Sequence, residues 1–156
     1  MSFGKKTQVC GIYANRRVDE IAENVFKKSS RINSTWGGNL VDMVRCTQFI
    51  HIIERDNITE LVNQVGDHVV AGLRQIAQST SAFTSVRGKG SLIAFTLPSP
   101  EHRAAMLNAF MEAGVIALPC GTQSVRFRLS LVMTIEDANE LLNRTSAAVQ
   151  ALTAAV

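Results

Sequence analysis

Two long stretches of the chain space their apolar residues at intervals of three and four, which is the period of an amphipathic helix. The first covers residues 39–55 and the second residues 58–76. The second stripe continues through Gly66 and Gly72, although a glycine inside a helix costs about 1 kcal/mol relative to alanine. We therefore predict two consecutive helices, the second being the better defined.

Beyond residue 82 the pattern alternates short β-prone runs with helical stripes. Thr134 and Asp137 have the spacing of a capping box, which opens a helix. Runs of this kind predict a small sheet with helices packed on one face. The predicted elements are strands at 83–86, 91–97, 115–118 and 125–131, turns at 87–90 and 120–121, and helices at 100–114 and 135–156.

The first 38 residues carry weaker signals. A short strand is predicted over Gln8–Ala14, where Gly11 indicates a close approach of backbones. One or two helical turns are predicted over Val18–Phe26. Residues 27–38 are rich in Ser, Asn and Gly and predict a loop.

Composition bounds the class of protein. Apolar residues make up 46% of the 156-residue chain and aromatic residues 6%, which favours an α/β or α+β fold with helices against a sheet. Three cysteines without CxxC spacing indicate neither a disulfide framework nor a zinc site, and fit a reducing cytoplasm. No run reaches the roughly 18–20 apolar residues that cross a bilayer, and no apolar signal-peptide region follows the start.

The net charge of +3 is modest and spread along the chain. One local basic cluster exists, formed by Arg16, Arg17, Lys27, Lys28 and Arg31. Nucleic-acid modules gather more basic residues on one face and add stacking aromatics. A basic nucleic-acid-binding module therefore stays a minor alternative, and we predict no nucleic acid and no membrane as partners.

Three segments carry candidate chemistry. Phe3-Gly4-Lys5-Lys6 offers an amine beside a glycine, although a lysine near a terminus is most often a solvated charge. The loop from Asn33 to Asn39 reads Asn-Ser-Thr-Trp-Gly-Gly-Asn and offers a hydroxyl and glycine amides at a helix start, or simply an N-capped loop. Val125-Arg126-Phe127-Arg128 places two arginines on one strand face, as carboxylate forks or as solvated ion-pair partners.

These segments, together with Arg87-Gly88-Lys89-Gly90, resemble in order and spacing the second half of a class III pyridoxal-phosphate aminotransferase of fold type I. The resemblance covers essentially the whole chain. It implies an α/β fold that comprises the end of the cofactor-binding large domain, residues 1–55, and an α+β C-terminal small domain, residues 56–156. It also implies that the chain begins close to the catalytic lysine and lacks the part before it.

The resemblance implies a role for each candidate residue. Lys5 would be the catalytic lysine that forms a Schiff base with pyridoxal 5'-phosphate, with Lys6 as the competing choice. Thr35 would reach the cofactor phosphate of a neighbouring subunit, and Asn33 would lie near the substrate. Arg126 would grip the substrate α-carboxylate, although Leu129-Ser130 stands where the family usually has paired prolines.

For the full enzyme the resemblance implies a cytoplasmic homodimer that moves the ε-amino group of L-lysine to 2-oxoglutarate. Ornithine, 4-aminobutyrate or another ω-amine stays open as donor, because most of the pocket would lie outside this sequence. A second alternative is an inactive truncated paralogue that serves as a binding or oligomerisation module. The chain alone is expected not to turn over substrate.

Overall fold

The structure is a computed structural model that describes residues 1–5, 9–32, 35 and 37–154. The chain divides into two compact units, Met1–Asp56 and Asn57–Val156. We predicted a boundary at residue 55 between the end of a cofactor-binding domain and a small domain, and the roles of these two domains stay a prediction.

The first unit begins with a small antiparallel hairpin. Strand β1, Ser2–Phe3, pairs with strand β2, Gly11–Ile12, in the register Ser2 to Ile12 and Phe3 to Gly11. A side chain at Gly11 would overlap the Phe3 ring, so the predicted close approach is confirmed at this position. The strand is shorter than the predicted 8–14, and Gln8 lies outside the described residues.

A 3-10 helix over Arg16–Glu20 and the helix α1 over Leu40–Arg55 complete the first unit. Asn39 caps α1, because its Oδ1 accepts hydrogen bonds from the backbone amides of Val41 at 3.0 Å and Asp42 at 3.5 Å. No described residue of α1 is buried. Its apolar stripe, predicted from the sequence, is therefore exposed within this unit.

The second unit contains the remaining helices and strands, and their order matches the predicted alternation of strands and helices. They are helix α2 (Ile58–Thr80), strand β3 (Thr84–Lys89), strand β4 (Leu92–Thr96), helix α3 (Pro100–Glu112), strand β5 (Leu118–Cys120), strand β6 (Ser124–Arg128) and helix α4 (Ile135–Ala154). The strands form an antiparallel sheet in the order β3-β4-β6-β5. Helices α2 and α3 pack on the sheet and α4 packs on both of them.

Aromatic side chains form the centre of this unit. Phe95 is fully buried, and its ring centroid lies 4.3 Å from that of Phe83, 6.3 Å from that of Phe110 and 5.8 Å from that of Phe127. Tilted and edge-to-face contacts at such distances are the favourable arrangements for aromatic rings. Aliphatic side chains of α2 surround the cluster, so the apolar stripe that predicted α2 is the stripe that closes the core.

Two turns are displaced from their predicted positions. Strand β3 continues through Lys89, so the turn predicted at 87–90 is confined to Gly90 and Ser91, and Gly90 has φ +54°. Cys120 belongs to β5, whereas Gly121 opens the turn that follows. The glycines correctly predicted that a turn lies in each segment, but pairing between neighbouring strands determines where β3 and β5 end.

The strand predicted at 115–118 is also wrong. Val115 is buried beneath the end of α3, and its amide donates to the Phe110 carbonyl at 2.7 Å. Strand β5 begins only at Leu118. An apolar run of four residues cannot distinguish a strand from a segment that packs under a helix end.

Both edge strands of the sheet are interrupted. Strand β5 contains Pro119, which has no amide to donate. Strand β3 carries a register shift between Thr84 and Arg87, and Ser85 within it has φ +51°. Such a bulge bends a strand and re-aims the side chain that follows it.

The predicted helix starts are confirmed. The Thr134 amide donates to Asp137 Oδ2 at 3.0 Å, and the Asp137 amide donates to Thr134 Oγ1 at 3.1 Å. This pair is a complete capping box at the start of α4. Helix α3 starts with Pro100 after the capping residue Ser99, and it stops before Gly114, whose φ is +72°.

Candidate functional site

Lys5 lies in the loop of the β1–β2 hairpin. The hairpin is closed by the N-terminal amine, which donates to the Tyr13 carbonyl at 2.7 Å, and by the Phe3 ring stacked on the Tyr13 ring at 4.8 Å. Lys5 itself has φ +60°, a left-handed conformation that side chains other than glycine seldom adopt. Strained backbone of this kind is found most often where a residue must be presented in one orientation.

The Lys5 side chain is exposed in this unit. Burial favours the uncharged amine that a Schiff-base lysine needs, and the described residues of the hairpin do not provide that burial. Gly4 is closely approached, since a side chain there would come 3.0 Å from Cys10 Sγ. The competing Lys6 lies outside the described residues.

Thr35 precedes α1 and is exposed, so its hydroxyl is accessible. Asn33 lies outside the described residues. The N-terminus of α1 is less available to an anion than the sequence suggested, because Asn39 already occupies two of its amides. A phosphate at this place would rely on the Thr35 hydroxyl and on the loop before the cap.

Arg126 lies in the middle of β6, on the face of the sheet opposite to the one on which α2 and α3 pack. Its neighbours Val125 and Phe127 are buried whereas Arg126 is exposed, as the alternation of the strand predicts. In the register of the sheet Arg126 stands beside Ala94 of β4 and Leu118 of β5. The β4 side of Arg126 is therefore occupied by a side chain no larger than a methyl group, and the β5 side by a leucine.

No carboxylate of the described residues lies within ion-pair distance of Arg126 or Arg128. An arginine without an acidic partner has its planar fork of N–H donors available for a ligand carboxylate. The alternative in which these arginines are partners of acidic residues finds no support among the residues that the structure describes. Lys5 and Thr35 belong to the first unit and Arg126 to the second.

Sequence reasoning missed a polar network on the same face of the sheet. Arg87 Nη1 donates to the Ser85 carbonyl at 2.8 Å and to Thr96 Oγ1 at 3.0 Å, and Nη2 donates to Ser124 Oγ at 3.3 Å. The Thr96 and Ser124 hydroxyl oxygens lie 3.0 Å apart. The Arg-Gly-x-Gly motif predicted a turn at its glycines. It does not indicate the register of β3, β4 and β6, which brings the three polar side chains together.

The basic cluster of the first unit is partly neutralised. Lys28 Nζ lies 2.9 Å from Glu23 Oε1, and Lys27 Nζ donates to the Asp19 carbonyl at 3.4 Å. The ion pair offsets the charge of Lys28, whereas the bond from Lys27 to a neutral carbonyl leaves the charge of Lys27 in place. The ion pair weakens the case for a nucleic-acid surface, which relies on unpaired cations.

The perturbed carboxyl groups lie at helix ends and not at the candidate site. The bond from the Ser99 hydroxyl holds the pKa of Glu101 below its usual range. The backbone amide of Thr134, and then its hydroxyl, hold the pKa of Asp137 below its usual range. These shifts come from capping geometry, so they do not identify a catalytic acid.

The described residues contain no candidate metal site and no candidate membrane-spanning helix. Among residues 1–5, 9–32, 35 and 37–154 no three His, Cys, Asp or Glu side chains are grouped as a metal site would need. Over the same part of the chain, no helix has the length and apolar character required to span a membrane.

Comparison with known proteins gives a consistent set of relatives. The sequence model of the family "Aminotransferase class-III" matches residues 3–149. The L-lysine-epsilon aminotransferase of Streptomyces clavuligerus is 43% identical over 158 residues, covering 100% of this chain and 35% of that protein. The enzyme of the same name from Amycolatopsis lactamdurans is 44% identical over 149 residues, covering 94% and 33%.

Solved structures agree. Lysine aminotransferase from M. tuberculosis in the internal aldimine form matches with a TM-score of 0.89 at 40% identity, covering 97% of this chain and 35% of that one. Two variants of the mycobacterial protein match equally well; one has an asparagine replaced by alanine and the other a threonine replaced by serine. The predicted α/β fold is confirmed, and the chain spans about a third of the length of these relatives.

Proposed function

The chain belongs to the class III aminotransferases, and from that premise we propose that it is the C-terminal portion of a pyridoxal-phosphate-dependent L-lysine 6-transaminase. The complete enzyme would transfer the ε-amino group of L-lysine to 2-oxoglutarate and form the 6-semialdehyde of 2-aminoadipate and glutamate. The observation that carries the proposal is the exposed, acid-free fork of Arg126 in a chain with this ancestry.

The residues present fit pyridoxal 5'-phosphate in chemistry. Lys5 offers an accessible amine on a constrained backbone, and Thr35 offers an accessible hydroxyl. The cofactor, when bound, withdraws electrons from the substrate carbon that carries the amine. Lys5 Nζ would hold the cofactor and move a proton at that carbon, while the Thr35 hydroxyl would donate to the phosphate.

A spacing supports Thr35 and Asn33. The two matched variants of the mycobacterial enzyme replace an asparagine and a threonine that are two positions apart in that protein. Asn33 and Thr35 have the same spacing in this chain. We propose that Asn33 lies near the substrate and that Thr35 donates to the cofactor phosphate.

Arg126 would bind the substrate carboxylate through two parallel N–H donors. Such a fork fixes the orientation of a carboxylate, which a lysine cannot do. In 2-oxoglutarate the α-carboxylate is bonded to the reacting carbon, whereas in L-lysine it lies at the opposite end of the molecule from the reacting ε-amine, so Arg126 in one position would bind the α-carboxylate of the acceptor. Arg128 lies on the same face and would add positive potential.

L-lysine is favoured over other ω-amines as donor. The relatives named for lysine are 40–44% identical, whereas the mitochondrial 4-aminobutyrate aminotransferase of Rattus norvegicus is 30% identical over 146 residues. We propose further that the complete enzyme is a homodimer in the cytoplasm. An inactive module built on the same fold is the alternative that the following experiment addresses.

The test is covalent trapping on this chain joined to the N-terminal portion of a matched relative. The purified protein is mixed with pyridoxal 5'-phosphate, reduced with borohydride and digested, and the modified lysine is located by mass spectrometry. We expect the adduct on Lys5, its loss in Lys5→Arg, and its retention in the matched control Lys6→Arg. An adduct spread over the surface lysines of the chain, or none at all, would favour the inactive module.

Turnover is measured in parallel as glutamate formed from L-lysine and 2-oxoglutarate. We expect none from this chain by itself, because Lys5 is exposed and the hairpin does not exclude water from it. Turnover is expected when the chain is joined to the missing portion of a matched relative. It should then fall at least about a hundredfold in Arg126→Lys, since orientation of the carboxylate is lost.

A further inference from the structure

Arg87 makes an unusual set of contacts for an arginine on a sheet. It is the first residue after the bulge of β3, and it donates to a carbonyl and to two hydroxyls that lie on three different strands. All of these acceptors are neutral. Among the residues that the structure describes, no carboxylate is within ion-pair distance of its guanidinium.

The network lies beside Arg126. Ser124 precedes Arg126 by two residues on β6, so both side chains project from the same face. Ala94 of β4 is the cross-strand neighbour of both Arg87 and Arg126. The two arginines therefore flank a single methyl group.

Two like charges separated by one small residue repel each other and compete for the same anion. The hydroxyls of Thr96 and Ser124 remove this conflict, because they hold the Arg87 guanidinium over the next row of the sheet. In that row Thr96 of β4 and Ser124 of β6 are cross-strand partners. The hydrogen bonds from Arg87 therefore also fix β6, the strand from which Arg126 projects. The space over Ala94 is left to Arg126.

We infer that Arg87 is a positioning residue for Arg126: it binds Thr96 and Ser124, steadies β6 and leaves the carboxylate seat over Ala94 to a single guanidinium. The inference rests on the proposed function, since it assumes that Arg126 binds a carboxylate. Arg87 itself does not touch the substrate. Its planar fork matches two hydroxyls on adjacent strands, which a lysine cannot reproduce.

The test is a titration of the 156-residue chain with 2-oxoglutarate, followed by NMR on the side-chain Nε–H signal of Arg126. Arg126→Lys identifies the signal. Arg87→Lys keeps the charge but loses the fork, and we expect about tenfold weaker binding, equal to one charge-assisted hydrogen bond. Lys89→Gln, on the same strand without a described partner, is the matched control and should change affinity less than about twofold.

A second pair of variants separates positioning from sheet stability. Thr96→Val keeps the shape and improves strand propensity but removes the acceptor, whereas Thr96→Ser keeps the acceptor. We expect weaker binding in Thr96→Val and affinity near that of the wild type in Thr96→Ser. A contribution to sheet stability alone predicts unchanged affinity in both variants, with the difference confined to the free energy of unfolding.

The outcomes distinguish the two proposals. If the wild type does not bind 2-oxoglutarate, or if Arg126→Lys binds equally well, the inference fails, whereas the proposed function is decided separately by turnover of the chain joined to the N-terminal portion of a matched relative. If Arg126→Lys loses binding while Arg87→Lys and Thr96→Val retain it, the role of Arg87 alone is overturned.

Discussion

The units Met1–Asp56 and Asn57–Val156 differ in what holds them together. The second unit buries a continuous core around four phenylalanines. In the described part of the first unit Asn24 is the one buried side chain, and its amide bonds to the carbonyls of Val18 and Ile21 at 2.9 Å. The first unit is therefore held by hydrogen bonds and short-range turns.

This difference bears on the site. Arg126 is presented by a strand whose alternate residues are locked in the core, so its position is determined within its own unit. Lys5 and Thr35 are presented by a two-residue hairpin and a loop, and neither rests on buried apolar surface. Preorganised catalytic groups need rigid support, so we expect the lysine side of the site to depend on further polypeptide.

The largest expected effect sharpens the contrast between the two units. Phe95→Ala should lower the free energy of unfolding by about 3–5 kcal/mol, because it empties the centre of the aromatic cluster. Phe26→Ala removes the same side chain from a position that is 52% exposed, and should change stability by less than about 0.5 kcal/mol. Urea unfolding measures both, and equal effects would show that the first unit has a core of its own.

The second effect concerns glycine. A side chain at Gly66 would overlap the carbonyl oxygen of Gly90, so Gly66→Ala should destabilise by about 1–3 kcal/mol instead of favouring the helix. In the first unit Gly38 has open space around it, and only its φ of +73° opposes alanine. Gly38→Ala should therefore cost about 1–2 kcal/mol, the strain of a left-handed residue without an added overlap. Thermal unfolding of the two variants would rank them, and the reverse ranking would contradict the close approach of α2 to the β3–β4 turn.

The third effect is local to the first unit. Asn39→Ala removes the acceptor for two amides of α1 and should destabilise that helix by about 0.5–2 kcal/mol. Asn39→Asp keeps the acceptor and is the matched control. Hydrogen exchange should increase in α1 of the alanine variant alone and stay unchanged in the second unit; faster exchange throughout would mean that the units unfold together.

The smallest effect is a pH dependence in the second unit. The Thr134 amide and hydroxyl hold the pKa of Asp137 below its ordinary value of 3.8. Its contribution to stability is therefore fully present above the unfolded-state pKa and is lost as the pH falls through the lower folded-state pKa. Unfolding measured from pH 6 down to about pH 2 should lose this component in Asp137→Asn, with Glu136→Gln as control, and an identical profile in both variants would contradict it.

Patterns that depend on one element alone were predictable. The stripe of α2 is confirmed because a single face, including Val65, Val69 and Leu73, is buried. The exposed position of Arg126 followed from strand alternation in the same way. Local chemistry also sufficed for the capping box at Thr134 and Asp137.

Features that depend on distant pairing were not predictable. The end of β3 is set by its register with β4, and the burial of Val115 by the end of α3. The Arg87 network needs three strands in one register before its acceptors meet. Whether Lys5 is buried depends on polypeptide outside the β1–β2 hairpin, so it could not be predicted from the residues around Lys5. The roles of the candidate site residues stay predictions, and these residues are Lys5, Thr35, Asn33 and Arg126.

The interrupted edges of the sheet have a consequence for solution behaviour. An uninterrupted edge strand offers a row of free amides and carbonyls to which another chain can add a strand, and fibrils grow in this way. Pro119 removes a donor from one edge, and the bulge at Ser85 bends the other. A concentrated solution of the second unit is therefore protected against strand-by-strand aggregation.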